Sequence, residues 1–129
     1  MAVTHSTASR NLATNAVVDQ LDGAGSKLCF RISAAGAIAA TLVMATPAFG
    51  ASGAVLAGRA DAGSIVSDTN AAGNGSAVSH ATLQTSGDVV AITCEVAASG
   101  KEIDMAGGLT IGAGDTVSCS ALTYVALAS

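Results

Sequence analysis

Two histidines, three cysteines and nine acidic side chains are the residues of this chain best equipped for chemistry. Their spacing assembles no standard constellation. His5 and His80 lie far apart, and neither sits in a ligand-spaced pattern. A Ser-His-Asp triad needs a serine held on a strained turn beside a histidine, yet there is no strand-turn-helix nucleophile motif here. Asp88, Glu95, Glu102, Asp104 and Asp115 form no close carboxylate pair of the kind that raises one partner's pKa for acid catalysis, and most stand beside turns where they are solvated. Cys29, Cys94 and Cys119 are odd in number, widely spaced and without a CxxC pair, which suggests neither a disulfide framework nor a zinc site. They read as reduced thiols packed among strands, with a single Cys94–Cys119 bridge open if their strands are neighbours.

The glycine-rich stretches do not change this reading. Gly23-Ala24-Gly25-Ser26-Lys27 resembles part of a phosphate-binding loop, but it lacks the upstream glycine and the Gly-Lys-Ser/Thr order, and it leads from a helix into a strand. Gly112-Ala113-Gly114 likewise leads into a strand and has a turn's role. Asp61, Asp68 and Asn70 share a loop without the spacing of an EF-hand. The expectation is therefore a protein that is not an enzyme, with no catalytic residue, no cofactor and no metal.

The same composition bears on partners. Net charge is −4, and the five basic residues, Arg10, Lys27, Arg31, Arg59 and Lys101, are scattered, which argues against nucleic acid. Half the residues are apolar, but Phe30, Phe49 and Tyr124 are the only aromatics and tryptophan is absent. Ala, Gly, Val, Thr and Ser make tight β-structure and close subunit contacts more readily than a lined pocket. With only 11% of residues charged, a lone copy would expose more apolar surface than a solitary soluble domain, so a homo-oligomer is expected.

The elements that must position these residues follow from periodicity. Ser6 or Thr7 caps a helix running to about Leu21, with Leu12, Ala16 and Val17 on one side and Asp22-Gly23-Ala24-Gly25 stopping it. Such a helix is marginal alone and must lie against β-structure or a neighbouring subunit. From Lys27 the period becomes two: Leu28, Phe30 and Ile32 alternate with Cys29, Arg31 and Ser33, and Val90, Ile92, Cys94 and Val96 alternate with Val89, Ala91, Thr93 and Glu95. Strands are expected at 27–33, 37–45, 54–60, 77–85, 88–97, 101–105, 108–111 and 115–126, separated by turns such as Asn74-Gly75 and Ser86-Gly87-Asp88. Residues 61–76, rich in Gly, Ser, Asn and Ala, read as a long loop that is mobile or lies over a partner.

The uncharged run from Ile32 to Gly58 also admits two membrane-related readings. As a signal peptide it would follow some thirty residues containing Asp19 and Asp22, longer than such a leader. As a membrane span it is interrupted by Gly36, Thr41, Thr46, Pro47, Gly50, Ser52 and Gly53. The alternation of Ile38, Ala40, Leu42 and Met44 favours a buried strand ended by Pro47, then a loop, and no membrane partner. The fold class is mainly β: an antiparallel β-sandwich or barrel-like domain at 27–129, preceded by an N-terminal arm and short α-helix at 1–26, in one compact domain.

The opening Met1-Ala2-Val3-Thr4-His5-Ser6-Thr7-Ala8-Ser9-Arg10-Asn11, leading to Val17-Val18-Asp19-Gln20-Leu21-Asp22, resembles the start of small tailed-phage virion proteins. So does the order that follows: a Lys-Leu strand, a strand ending at Pro47-Ala48-Phe49-Gly50-Ala51, a Gly/Asn/Ala loop, and a closing Gly114-Asp115-Thr116-Val117-Ser118 strand. Where such proteins often carry an aromatic-rich middle strand, residues 77–84 here read Ala-Val-Ser-His-Ala-Thr-Leu-Gln. The resemblance is to capsid decoration, or cement, proteins. It implies a virion location on the outer surface of the capsid, the major capsid protein as partner, and a homo-oligomer with three copies favoured over two. The expected contact residues are Met1, Ala2, Val3, Thr4, His5, Arg10, Pro47, Phe49 and Arg59, with Arg10 either forking onto a neighbour or merely solvating the helix. The alternative is another phage tail or cell-surface β module, such as a pilus-type subunit or glycan-binding domain; for the last, only Tyr124 could stack on a sugar.

Overall fold

The computed structural model describes residues 4–53, 57–105 and 108–125. Helix α1 spans Thr7–Val18 and tightens into a 3-10 turn at Asp19–Leu21. Ser6 is its N-cap, with the hydroxyl oxygen accepting the Ser9 N–H at 3.1 Å and satisfying one of the donors that a helix start leaves free. Its buried stripe is not the expected one. Thr14, Val18 and Leu21 face inward, whereas Leu12 is 70% exposed and Ala16 is also exposed. The polar side chains on the inner side decide this: Asn11 Oδ1 accepts the Gly58 N–H (2.7 Å), Asn15 Oδ1 accepts the Ser52 N–H (3.1 Å), and Thr14 donates to the Gly58 carbonyl. Those anchors hold a face with little apolar area of its own against β-structure.

Among the described residues eight strands follow: β1 Lys27–Arg31, β2 Ile38–Met44, β3 Arg59–Asp61, β4 Ile65–Val66, β5 His80–Gln84, β6 Val90–Ala97, β7 Ile103–Asp104 and β8 Thr123–Val125. Six form one sheet in the order β4-β2-β1-β5-β6-β7, curled into a half-barrel. The other two, β3 and β8, make a ribbon against which α1 lies. The central strand β1 pairs antiparallel on both sides, setting Leu28 between Leu42 and Leu83, and Phe30 between Ala40 and Ala81. All six are buried and belong to one core with Val18, Leu21, Phe49 and Val78. Period-two alternation thus delivers one apolar face, as the mainly β, barrel-like expectation requires. The sheet is mixed, because β7 runs parallel to β6 through Val96↔Ile103 and Ala97↔Asp104.

The differences from expectation lie in the second half. Among the described residues, 108–111 form no strand, and of 115–126 only Thr123–Val125 do, with Val117 in an isolated bridge to Asp68. Of 54–60, only the end falls in β3; residues 54–56 lie outside the described residues. Residues 61–76 are not a free loop: they contain β4 and are laced to the later segment by Asn74 N–H to Ile111 C=O (2.9 Å), Ala71 N–H to Asp115 C=O (3.0 Å) and Gly114 N–H to Ala71 C=O (2.8 Å). Turn geometry keeps that lacing irregular. Gly73 (φ 73°) and Gly114 (φ 85°) adopt left-handed backbone, and Asp115 accepts the Gly112 N–H (2.7 Å), so neither segment runs straight long enough for a ladder. The uncharged run gives a strand and then a loop, as expected, with Pro47 in a cis peptide just past β2. No helix among the described residues is long and apolar enough to cross a membrane.

Candidate functional site

The sheet face opposite the core carries the largest polar cluster. Alternation along β1 and β5 sets Lys27, Cys29 and Arg31 beside Gln84, Thr82 and His80. Arg31 lies across the sheet, its Nε donating to Thr82 Oγ1 (3.0 Å), Nη2 to Gln84 Oε1 (3.0 Å) and Nη1 to the Gly36 carbonyl (2.9 Å). Gln84 Nε2 donates to Asp88 Oδ1 (3.0 Å), which also takes the Lys27 ammonium at 2.7 Å. The hydrogen bonds from Lys27 and Gln84 hold the Asp88 carboxyl below its ordinary value, and the same contact with Asp88 raises Lys27. Thr82 and Gln84 are each only 1% exposed, so two polar side chains are buried here and both are hydrogen-bonded. This cluster closes on itself.

Across the half-barrel the arrangement is open. β6 uses one edge for β5; on the other, among the described residues, it meets β7 in a parallel pairing at Val96 and Ala97, which by the alternation of main-chain groups also engages Glu95. A cleft of about 310 Å³ separates its residues Ile92, Thr93 and Cys94 from Thr123, Tyr124 and Val125 of β8, with Glu102 and Ile103 at its side. Two further depressions, of about 470 Å³ and 230 Å³, line the segments around Asp115 and Cys119. Val89 (65% exposed) and Val90 add apolar surface at the start of β6 beside the exposed Asp88, and Val43 and Val66 stand opposite each other at the far edge of the sheet.

The residues singled out for chemistry remain dispersed. No cluster of three or more His, Cys, Asp or Glu suited to a metal occurs among the described residues. His80 Nδ1 lies 2.8 Å from the Ser79 hydroxyl, and Glu95, its partner in register, pairs with Lys101 at 2.7 Å. All three cysteines are free thiols. Burial raises each of them above the ordinary thiol value, Cys94 up to about 11 with Glu102 contributing, so all are protonated and weakly nucleophilic at neutral pH.

Of the expected contact residues, Met1, Ala2 and Val3 lie outside the described residues, and Thr4 and His5 are exposed ahead of the N-cap. Pro47 is exposed, but Phe49 is not on the surface: it is 3% exposed within the core, bridged through its backbone to Ala62, and supports the loop from inside. Arg59 donates to Asp61 at 2.7 Å. Arg10 is half-buried beside Gly58, with its Nε buried and without a hydrogen-bond partner among the described residues. What the sequence reading missed is Thr82, Gln84 and the open edge of β6. The first two were signalled by polar residues at period two in both 27–31 and 80–84; the edge depends on which strands become neighbours. Compared with protein-family models, curated proteins and solved structures, the chain matches none of them.

Proposed function

We propose that this chain is a structural protein of a tailed-phage virion, bound to the outside of the capsid and stabilising contacts between major capsid protein subunits. The observation that carries this reading is how the charges are used. Lys27, Arg59 and Lys101 are each paired with a carboxylate, and Arg31 is bound into the sheet, while Leu12, Val43, Val66, Val89, Val90 and Val125 are exposed. Glu102, Asp104 and Asp115 are exposed without a basic partner among the described residues, so such a surface offers small apolar and main-chain contacts and no basic hot spot. Repetition over a shell converts many weak contacts of that sort into collective resistance to internal pressure. The resemblance of the N-terminal segment and of the order of elements to decoration proteins supplies the partner, and a homo-oligomer, three copies favoured over two, supplies the repeating unit.

Attachment is assigned to residues 1–10 and to 45–74, with Arg10 as the polar anchor and Phe49 as an internal support. The test is binding of the full chain, and of a chain lacking residues 1–10, to undecorated capsids. Loss of attachment by the truncated chain, with its β domain still folded, is the expected result. Particles that keep full occupancy and heat resistance with the truncated protein rule it out.

A further inference from the structure

We propose that Asn74 is a self-modification site: in the folded chain its side-chain amide is lost to attack by the Gly75 main-chain nitrogen, leaving aspartate or isoaspartate at position 74. Three features meet at this pair and at no other asparagine of the chain. The nucleophile is free: Gly75 and Ser76 are exposed, and the Gly75 N–H donates to no group among the described residues, so solvent base can reach its proton. The approach is open, because Gly75 has no side chain and even a Cβ placed on it would meet no atom within 4 Å. The electrophile is polarised, since Asn74 Oδ1 accepts the Ser76 N–H at 2.9 Å, and that bond closes an Asx turn which holds the carboxamide back over the following peptide. Elsewhere these features are absent. Asn11 and Asn15 lie in α1, where the main-chain N–H groups of Leu12 and Ala16 belong to the helix ladder, and their own Oδ1 atoms are tied to Gly58 and Ser52. Asn70 is followed by Ala71, which is buried and whose N–H donates to the Asp115 carbonyl at 3.0 Å.

The reaction consumes only water. The Gly75 nitrogen, having given its proton to solvent, forms a bond to Asn74 Cγ; the Cγ–Nδ2 bond breaks, and ammonia leaves with a proton taken from solvent. Holding the two groups in one turn makes this step intramolecular, which is what gives so weak a nucleophile a usable rate. Water then opens the cyclic imide. Addition at Cγ breaks the new bond and gives aspartate; addition at the Asn74 main-chain carbonyl breaks the original peptide bond and gives isoaspartate, in which the chain runs through Cγ and is longer by a methylene. Nothing is oxidised or reduced. The position gives the change its consequence. Asn74 N–H donates to the Ile111 carbonyl at 2.9 Å and Val78 N–H to the Leu109 carbonyl at 2.8 Å, so the turn is clamped at both ends to the later segment. A methylene inserted between the clamps is taken up by shifting one of them, and the new carboxylate joins a lacing that already contains Asp68 and Asp115. The chain thus carries a slow, irreversible clock that loosens 68–78 from 109–117 and adds a negative charge to the net −4.

The inference does not rest on the capsid reading, and its test contains no capsids. The full chain is aged in mildly alkaline oxygen-18 water, folded and in parallel in urea, then mapped by mass spectrometry with fragmentation that separates aspartate from isoaspartate. In the folded chain a single heavy oxygen is expected at position 74 and none at Asn11, Asn15 or Asn70, at a rate no lower than in urea, with isoelectric focusing showing the one-charge shift. Gly75→Ala, whose added methyl meets no neighbour in the fold but crowds the attacking nitrogen, is expected to fold like the parent and to slow conversion roughly tenfold. Hydrogen exchange at Val78 is expected to be faster in the isoaspartate form than in Asn74→Asp, which carries the same charge on an unlengthened chain. A folded chain that keeps the Asn74 amide, label at another asparagine in its place, or a rate that Gly75→Ala leaves unchanged overturns the site. Equal exchange at Val78 in the isoaspartate form and in Asn74→Asp overturns the loosening of the lacing.

Discussion

At the scale of single residues, the polar side chains that tie the structure together are the sensitive points. Thr14 is fully buried in α1, and its hydroxyl donates to the Gly58 carbonyl. Thr14→Val keeps the volume and leaves that carbonyl without this donor, so a loss of about 1–3 kcal/mol is expected in urea unfolding. Asp88 gives a pH signature instead. Its carboxyl is held below the ordinary value by hydrogen bonds from Lys27 and Gln84, so the folded state prefers it ionised. The stability it contributes is present above the unfolded carboxylate pKa, about 3.9, and is lost as pH falls through the lower folded value. Asp88→Asn is therefore expected to unfold more easily than the parent near neutral pH, with the two curves converging in that acid window. A difference that persists at the acid end would show that the amide disturbs packing and not charge.

At the scale of elements, α1, β1, β2, β5 and β6 were legible because each carries its own signal: a serine cap, or an apolar and polar alternation long enough to fix a face. The helix's inner face was not, since it depends on Asn11, Thr14 and Asn15 finding acceptors and donors in 52–58 rather than on apolar spacing. Nor was the lacing of 68–74 to 109–117, because Gly, Asn and Ala announce a turn without saying what the turn binds. Gly73 tests that lacing. Its φ is 73°, and a Cβ there would stand 2.3 Å from the Ala113 backbone nitrogen, a clash that no side-chain rotation relieves. Gly73→Ala is expected to destabilise by more than the roughly 1 kcal/mol at stake in a compatible glycine substitution. Hydrogen exchange should localise the loss, with faster exchange at Ala71, Asn74 and Gly114. The candidate site was hidden for a related reason: Val90–Glu95 reads as a strand, but only the strand order reveals that its second edge is open up to Thr93.

At the scale of the whole molecule, the disposition of charge makes a prediction about how any assembly built from this chain behaves. Lys27, Arg59 and Lys101 are neutralised within the chain, and the large apolar side chains left exposed around β4 and the start of β6 are valines. An interface made from such a surface draws on apolar burial and main-chain pairing. Neither depends on long-range Coulomb attraction, whose reach falls from about 10 Å at 0.1 M salt to about 3 Å at 1 M. Attachment carried by a charged hot spot would weaken severalfold across that range, while apolar contacts hold or strengthen as salt rises. Arg10 is the point at which the two accounts part, because its Nε is buried without a hydrogen-bond partner among the described residues. The occupancy of capsids by the full chain is therefore expected to be unchanged between low and molar salt, and Arg10→Gln to reduce it by the same modest factor at both. A steep salt dependence that Arg10→Gln removes would instead place the recognition energy on that one side chain, and would refute the assignment of the contact to apolar and main-chain groups.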